Sequence, residues 1–168
     1  YLIAAAMPLS FAIWSALLNN FVIEVASFTG KEIGWLHTVR EIPGLLAVMV
    51  IAILLAVREQ VLALGMLALL GAATMFTGWF TSFSGLLVMT LLSSIGFHYF
   101  ETVNQSLQLQ WIDKARAPVV LGRIVAVGAG ASLAAYGAIV ALWDRLNLDY
   151  NTVYLASGGL TIAIVIFA

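Results

Sequence analysis

Ser94, His98, Glu101, Gln105 and Gln108 recur along one stretch of this sequence. At 100° per residue they fall within an arc of roughly 80°, one face of a helix. The chemistry on offer is the binding of a substrate or a proton, with Glu101 and His98 as the titratable ligands. A second set repeats the theme: Asn20, Glu24 and Ser27 share a face at i, i+4 and i+7, with Ser15 and Asn19 beside it. Two histidines at no consistent spacing from carboxylates do not make a metal site. With no cysteine there is no disulfide framework, thiolate nucleophile or Cys-ligated metal. No cofactor is expected.

The medium around these groups follows from composition. Of 168 residues, 63% are hydrophobic and 9% charged, and the mean hydropathy is +1.07. A soluble domain carries about 25% charged residues, so this chain cannot clothe a water-exposed surface. A cytosolic enzyme, a nucleic-acid-binding domain and a disordered chain are excluded together. Seven basic against eight acidic residues give a net charge of −1, too little basic excess to attract a polyanion. The expected partner is the lipid bilayer, and the expected location is the cell (inner) membrane.

A helical span needs about 20 mostly apolar residues, and the charges mark the gaps between such runs. Six spans fit, at about 2–27, 33–57, 60–80, 85–111, 119–143 and 151–168. Lys31 and Glu32 separate the first two, Arg58 and Glu59 the next, and Asp113, Lys114 and Arg116 precede Pro118, which suits a first helical turn. The alternation of a membrane β-barrel is absent. Tyr1 is no initiator and no cleavable signal peptide is recognisable, so the chain reads as a piece of something longer. Trp35, Trp79, Trp111 and Trp143 fall at span ends, as an interfacial belt requires. Arg58, Lys114, Arg116 and Arg123 outnumber Lys31, Arg40 and Arg145, which puts the N-terminus in the cytoplasm.

An acidic residue at mid-helix costs roughly 2.5–3.5 kcal/mol against lipid, so the stripe on the fourth span must face helices or water. It is either the wall of a cavity or an interhelical hydrogen-bond seam. Glu24 and Arg40 lie at similar heights across a hairpin and are expected either to pair near the outer mouth or to snorkel to the interface. His37, close to an interface, is expected to be hydrated. Ala126, Gly128, Gly130, Ser132, Ala134 and Gly137 offer a small-residue surface for close helix contact. Gly158-Gly159 is of the same kind, and Pro8 interrupts the first span. Glu24, Arg40 and Pro43 are echoed by Glu101, Arg116 and Pro118 about three spans later, the pattern of a 3+3 repeat.

Six spans with short loops, polar first and fourth helices and a featureless third resemble the N-terminal half of a major facilitator superfamily transporter. The resemblance covers all 168 residues in hydropathy. The family's second-to-third loop carries Gly, an Asp-Arg pair, then Gly and further basic residues. Here Leu55-Ala56-Val57-Arg58-Glu59-Gln60 keeps Arg58, followed by apolar Val61-Leu62. His98 and Glu101 stand on the helix where proton-coupled members often bear arginine, and Gly128-Ala129-Gly130 lacks the proline of drug antiporters.

The resemblance implies an all-α membrane protein of twelve helices, with a second six-helix half beyond residue 168. Helices one and four would line a central cavity, two and five flank it, and three and six lie outside. The expected function is a secondary transporter that moves a small solute by alternating access. Asn19, Asn20, His98, Gln105 and Gln108 would hold that solute at mid-membrane, with Glu101, Glu24 and Arg40 in proton or ion coupling. The alternative is a non-transporting membrane subunit or assembly factor. An enzyme is not expected, since the Gly-x-Ser-Gly nucleophile of intramembrane serine proteases is missing.

Overall fold

The computed structural model describes residues 2–168; Tyr1, part of the expected domain 1–168, lies outside the described residues. Seven helices follow one another, α1 (Leu2–Glu24), α2 (Gly30–Leu45), α3 (Met49–Leu54), α4 (Glu59–Thr77), α5 (Phe83–Trp111), α6 (Ala117–Leu142) and α7 (Tyr150–Phe167). Among the described residues there is no strand. Five of the helices, α1, α4, α5, α6 and α7, are long and apolar enough to cross a membrane.

The expected second span, 33–57, is not one helix. It divides into α2 and the six-residue α3 at a turn over 46–48. Pro43 withdraws a donor from the ladder and Gly44 adds backbone freedom, so α-helical bonding is weakest here. The chain tightens into i→i+3 bonds, Ala47 N–H to Gly44 at 3.2 Å and Met49 N–H to Leu46 at 2.9 Å. The Tyr99 hydroxyl from α5 adds a bond to the Leu46 carbonyl at 3.3 Å.

Local chemistry explains the other ends. Glu32 accepts from the Thr29 backbone N–H at 2.7 Å and from its hydroxyl at 3.0 Å, which caps α2. Ser82 caps α5 through Gly85 N–H at 3.2 Å, and Asp149 caps α7 through Thr152 N–H at 2.7 Å. Two non-glycine residues sit in the left-handed region, Ser27 after α1 (φ 57°) and Asn147 before α7 (φ 47°), each reversing the chain between long helices. With α3 continuing the direction of α2, the spans run alternately up and down. Ile3, Gln60, Trp111, Val120 and Ala168 gather at one end of the bundle, while Glu24, Trp143 and Tyr150 meet at the other.

Helix α4 is the spine. It packs along α5 on one side and α7 on the other, and touches α1. Leu62, Ala63, Leu67, Leu70, Gly71, Ala73, Thr74 and Thr77 are buried in those contacts. The opposite face of α4 is open, with Val61, Gly65 and Phe76 exposed. Helix α1 packs on α6 and α7, and α2 chiefly on α5. The small-residue surface of α6 is mostly open, because α6 has α1 as its main neighbour. Of that set only Gly128 is buried, against Pro8 and the Ala4 carbonyl.

Glycines set the closest approaches. A Cβ on Gly96 would lie 2.6 Å from the Leu70 nitrogen, and one on Gly158 would strike the Gly71 carbonyl and the Met75 backbone nitrogen. The same seam holds buried hydroxyls: Ser10 donates to Thr74 at 3.1 Å, joining α1 to α4, and Thr161 to the Ser157 carbonyl at 3.2 Å. Two apolar clusters fill the ends of the bundle, one around Trp14, Phe21, Leu36 and Tyr154, the other around Leu67, Leu70, Phe100 and Val103. Phe11 touches both and stacks on Phe97 at 3.9 Å.

Gly158→Ala must push α4 and α7 apart, at a cost of about 1–3 kcal/mol. Thermal unfolding of the detergent-purified protein should show that loss. Gly130→Ala, whose Cβ would meet nothing within 4 Å, should unfold like the parent. Equal melting of both variants would refute the tight α4–α7 contact.

Candidate functional site

The stripe on α5 has two environments. At its upper part it is a seam. Ser94 is buried and its hydroxyl donates to the Arg40 carbonyl of α2. One turn on, the half-buried His98 ring fits beneath Gly44, where a Cβ would lie 2.9 Å from its Cε1. Phe97 stands edge-on to the imidazole at 4.9 Å. Ser94 and His98 therefore join α5 to α2.

The lower part is the wall of a cavity. Between α1, α5 and α6 lies a space of about 300 Å³, lined by Glu101, Asn104, Gln105 and Gln108 on one side and by Met7, Pro8 and Ile124 on the others. Gln105 Nε2 approaches Glu101 Oε1 at 3.4 Å. Asn104 and Gln108 also border a larger, mostly apolar cavity of about 450 Å³ that opens toward Gln60 and Trp111. Such a surface can hold a small polar solute by hydrogen bonds and offer one carboxylate to a proton or cation. The stripe is thus a seam over Ser94 and His98 and borders a cavity over Glu101, Gln105 and Gln108.

The rest of the expected site lies elsewhere. Asn19 pairs with His37 across the α1–α2 hairpin, Oδ1 to Nε2 at 3.2 Å, so His37 has a protein partner where only water was expected. Asn20 and Glu24 border a separate cavity between α1, α6 and α7. At 1.5 Å per residue, and with Ile3 and Trp111 at one level, Asn20 stands about 20 Å above Gln108. A small solute cannot touch both, so the single cluster of Asn19, Asn20, His98, Gln105 and Gln108 does not form.

The expected Glu24–Arg40 ion pair is also absent. Arg40 Nε donates to its neighbour Glu41 at 2.9 Å. Glu24 Oε2 instead accepts from the Tyr150 hydroxyl at 2.6 Å. Level side chains on adjacent helices pair only if they face each other. Here Glu24 faces α7, while Arg40 has a carboxylate on its own helix.

Two contacts had little or no sequence signal. Glu59 accepts from Gln110 at 2.8 Å, tying the start of α4 to the end of α5. Asn104 lies just beyond the roughly 80° arc of the stripe, and a wider arc would have included it. Among the described residues no three His, Asp or Glu side chains are grouped to hold a metal ion.

Outside the helices, the Thr152 hydrogen bond holds the Asp149 carboxyl below the usual carboxylate range. A depressed carboxyl stabilises the fold above its unfolded pKa, and that stability drains away as pH falls through the folded value. Thermal stability of the parent should therefore drop on acidification more than that of Asp149→Ala. Parallel pH profiles would refute the cap.

No protein-family model, no curated protein and no solved structure matches this chain.

The pairing around Glu24 is open to a double-mutant cycle on stability. Glu24→Gln and Tyr150→Phe should couple by about 0.6 kcal/mol, the size usual for hydrogen bonds inside a membrane protein. Glu24→Gln and Arg40→Gln should be additive; coupling of that second pair would restore the ion pair.

Proposed function

We propose that this chain is a six-span half of a secondary transporter of the major facilitator type, moving a small polar solute by alternating access. The observation that carries the reading is the Glu101 cavity. A carboxylate and three amides line a space among α1, α5 and α6, in a chain that is 63% hydrophobic. Side chains this polar are retained in apolar helices where a solute, ion or proton passes.

The packing supports the six-span architecture. Taking α2 with α3 as one broken span, exchange α1 with α5, α2 with α6 and α4 with α7. The contact of α1 with α6 then becomes that of α5 with α2, α1 with α7 becomes α5 with α4, and α4 with α7 maps onto itself. These contacts exchange as two three-helix repeats would require, while the contact of α1 with α4 has no comparable counterpart between α5 and α7. The Lys/Arg balance supports a cytoplasmic N-terminus in an integral membrane protein of the cell membrane.

In this reading Glu101 exchanges a proton with the solute as the cavity opens to either side, while Asn104, Gln105 and Gln108 hold the solute's polar groups. The work is transport and involves no catalysis, cofactor or nucleic acid. The alternative, a subunit with this architecture and no transport, is favoured by the departure at Val57-Arg58-Glu59 from the family's loop.

The test uses the whole protein in proteoliposomes loaded with a pH-sensitive dye and offered sugars, amino acids and amines in turn. A solute that enters with protons supports the reading. Glu101→Gln should then abolish proton-driven uptake and keep counterflow exchange. Unchanged proton coupling in that variant dismisses the role of Glu101, and no uptake of any solute favours the subunit.

A further inference from the structure

The cavity around Glu24 differs in kind from the one around Glu101. It measures about 290 Å³ and lies between the C-terminal end of α1, the end of α6 and the start of α7. Its walls are aromatic and aliphatic apart from Asn20 and Glu24. The Trp143 and Tyr150 rings meet at 66°, centroids 5.2 Å apart, and form a corner. Phe21 backs Tyr150 at 5.5 Å.

Charge in this corner is uncompensated. Among the described residues no cation pairs with Glu24, and the Arg40 guanidinium is engaged by Glu41. The Tyr150 hydroxyl holds Oε2 of Glu24, which fixes the carboxylate and leaves Oε1 for another partner. Asn20 stands one turn below on the same wall and offers an amide oxygen. Two aromatic faces, a fixed carboxylate and aliphatic sides from Leu17 and Ile139 suit a cation that carries carbon. Such a cation is held by ring quadrupoles when it sits within about 6 Å of their centroids. A bare metal ion would find too few oxygens here.

We propose that the Asn20–Glu24–Trp143–Tyr150 cavity binds a small organic ammonium ion. The ammonium charge lies against Glu24 Oε1, and its carbon groups lie against the Trp143 and Tyr150 rings. This site stands apart from the Glu101 cavity, and binding here does not depend on whether the protein transports anything.

The experiment is calorimetric titration of tetramethylammonium chloride into the intact protein in lipid nanodiscs, with sodium chloride at equal ionic strength as reference. Saturable binding of tetramethylammonium, with none of sodium, is expected. Glu24→Gln and Trp143→Leu should each weaken it about tenfold. Tyr150→Phe keeps the ring and should stay within about threefold of the parent. Glu41→Gln, a carboxylate outside the cavity, should bind like the parent, and circular dichroism of every variant reports its fold. The proposal is overturned by an absence of saturable binding, by equal binding of sodium, or by parent-like affinity in folded Glu24→Gln or folded Trp143→Leu.

Discussion

The bundle depends on how closely α4 can approach its neighbours. With few charges and small hydroxyls for glue, cohesion comes from backbones brought near enough for dispersion to act along their whole length. Gly96 admits α5 to α4, and Gly71 with Gly158 admits α7. Between those glycines the spine still buries Leu62, Leu67 and Leu70, while the larger aromatic residues come from its neighbours, Trp14 and Tyr154 in one cluster and Phe100 in the other. Polar groups follow the same logic. On the spine Thr74 accepts from the Ser10 hydroxyl and Thr77 donates to the Ala73 carbonyl, whereas Glu101, Asn104, Gln105 and Gln108 stand where the helices part.

How much of this was legible in the sequence depended on the range of the signal. Helices α1, α4, α5, α6 and α7 were readable because each is a long apolar run between charges or turn residues. The break at 46–48 was hidden by the same method, since Ile42 to Val57 holds no charge to mark it. The clue there was Pro43-Gly44, a weakness of backbone and not of polarity. Which face of α4 meets α5 and α7 was hidden for a related reason: an apolar, charge-free surface suits lipid and protein neighbours equally, and hydropathy cannot distinguish them.

The polar groups were legible as a set and not as an arrangement. The shared face of Ser94, His98, Glu101, Gln105 and Gln108 follows from helical period alone, but its division into a seam and a cavity wall depends on where α2 ends and where α1 and α6 stand off from α5. Glu24 shows the limit more sharply. Its partner Tyr150 is 126 residues away, and no periodicity connects them. Heights along a hairpin suggested Arg40, but height says nothing of azimuth, and azimuth decided the contact.

The fit of His98 beneath Gly44 has a consequence for how such a sequence can drift. The imidazole fills the volume that a side chain at position 44 would need, so the two sites share one allotment of space. A larger residue at 44 is compatible with the contact of α2 on α5 when residue 98 shrinks or its ring turns aside. In a lineage of related chains, size at these two positions would change reciprocally, and a histidine at 98 would travel with glycine at 44.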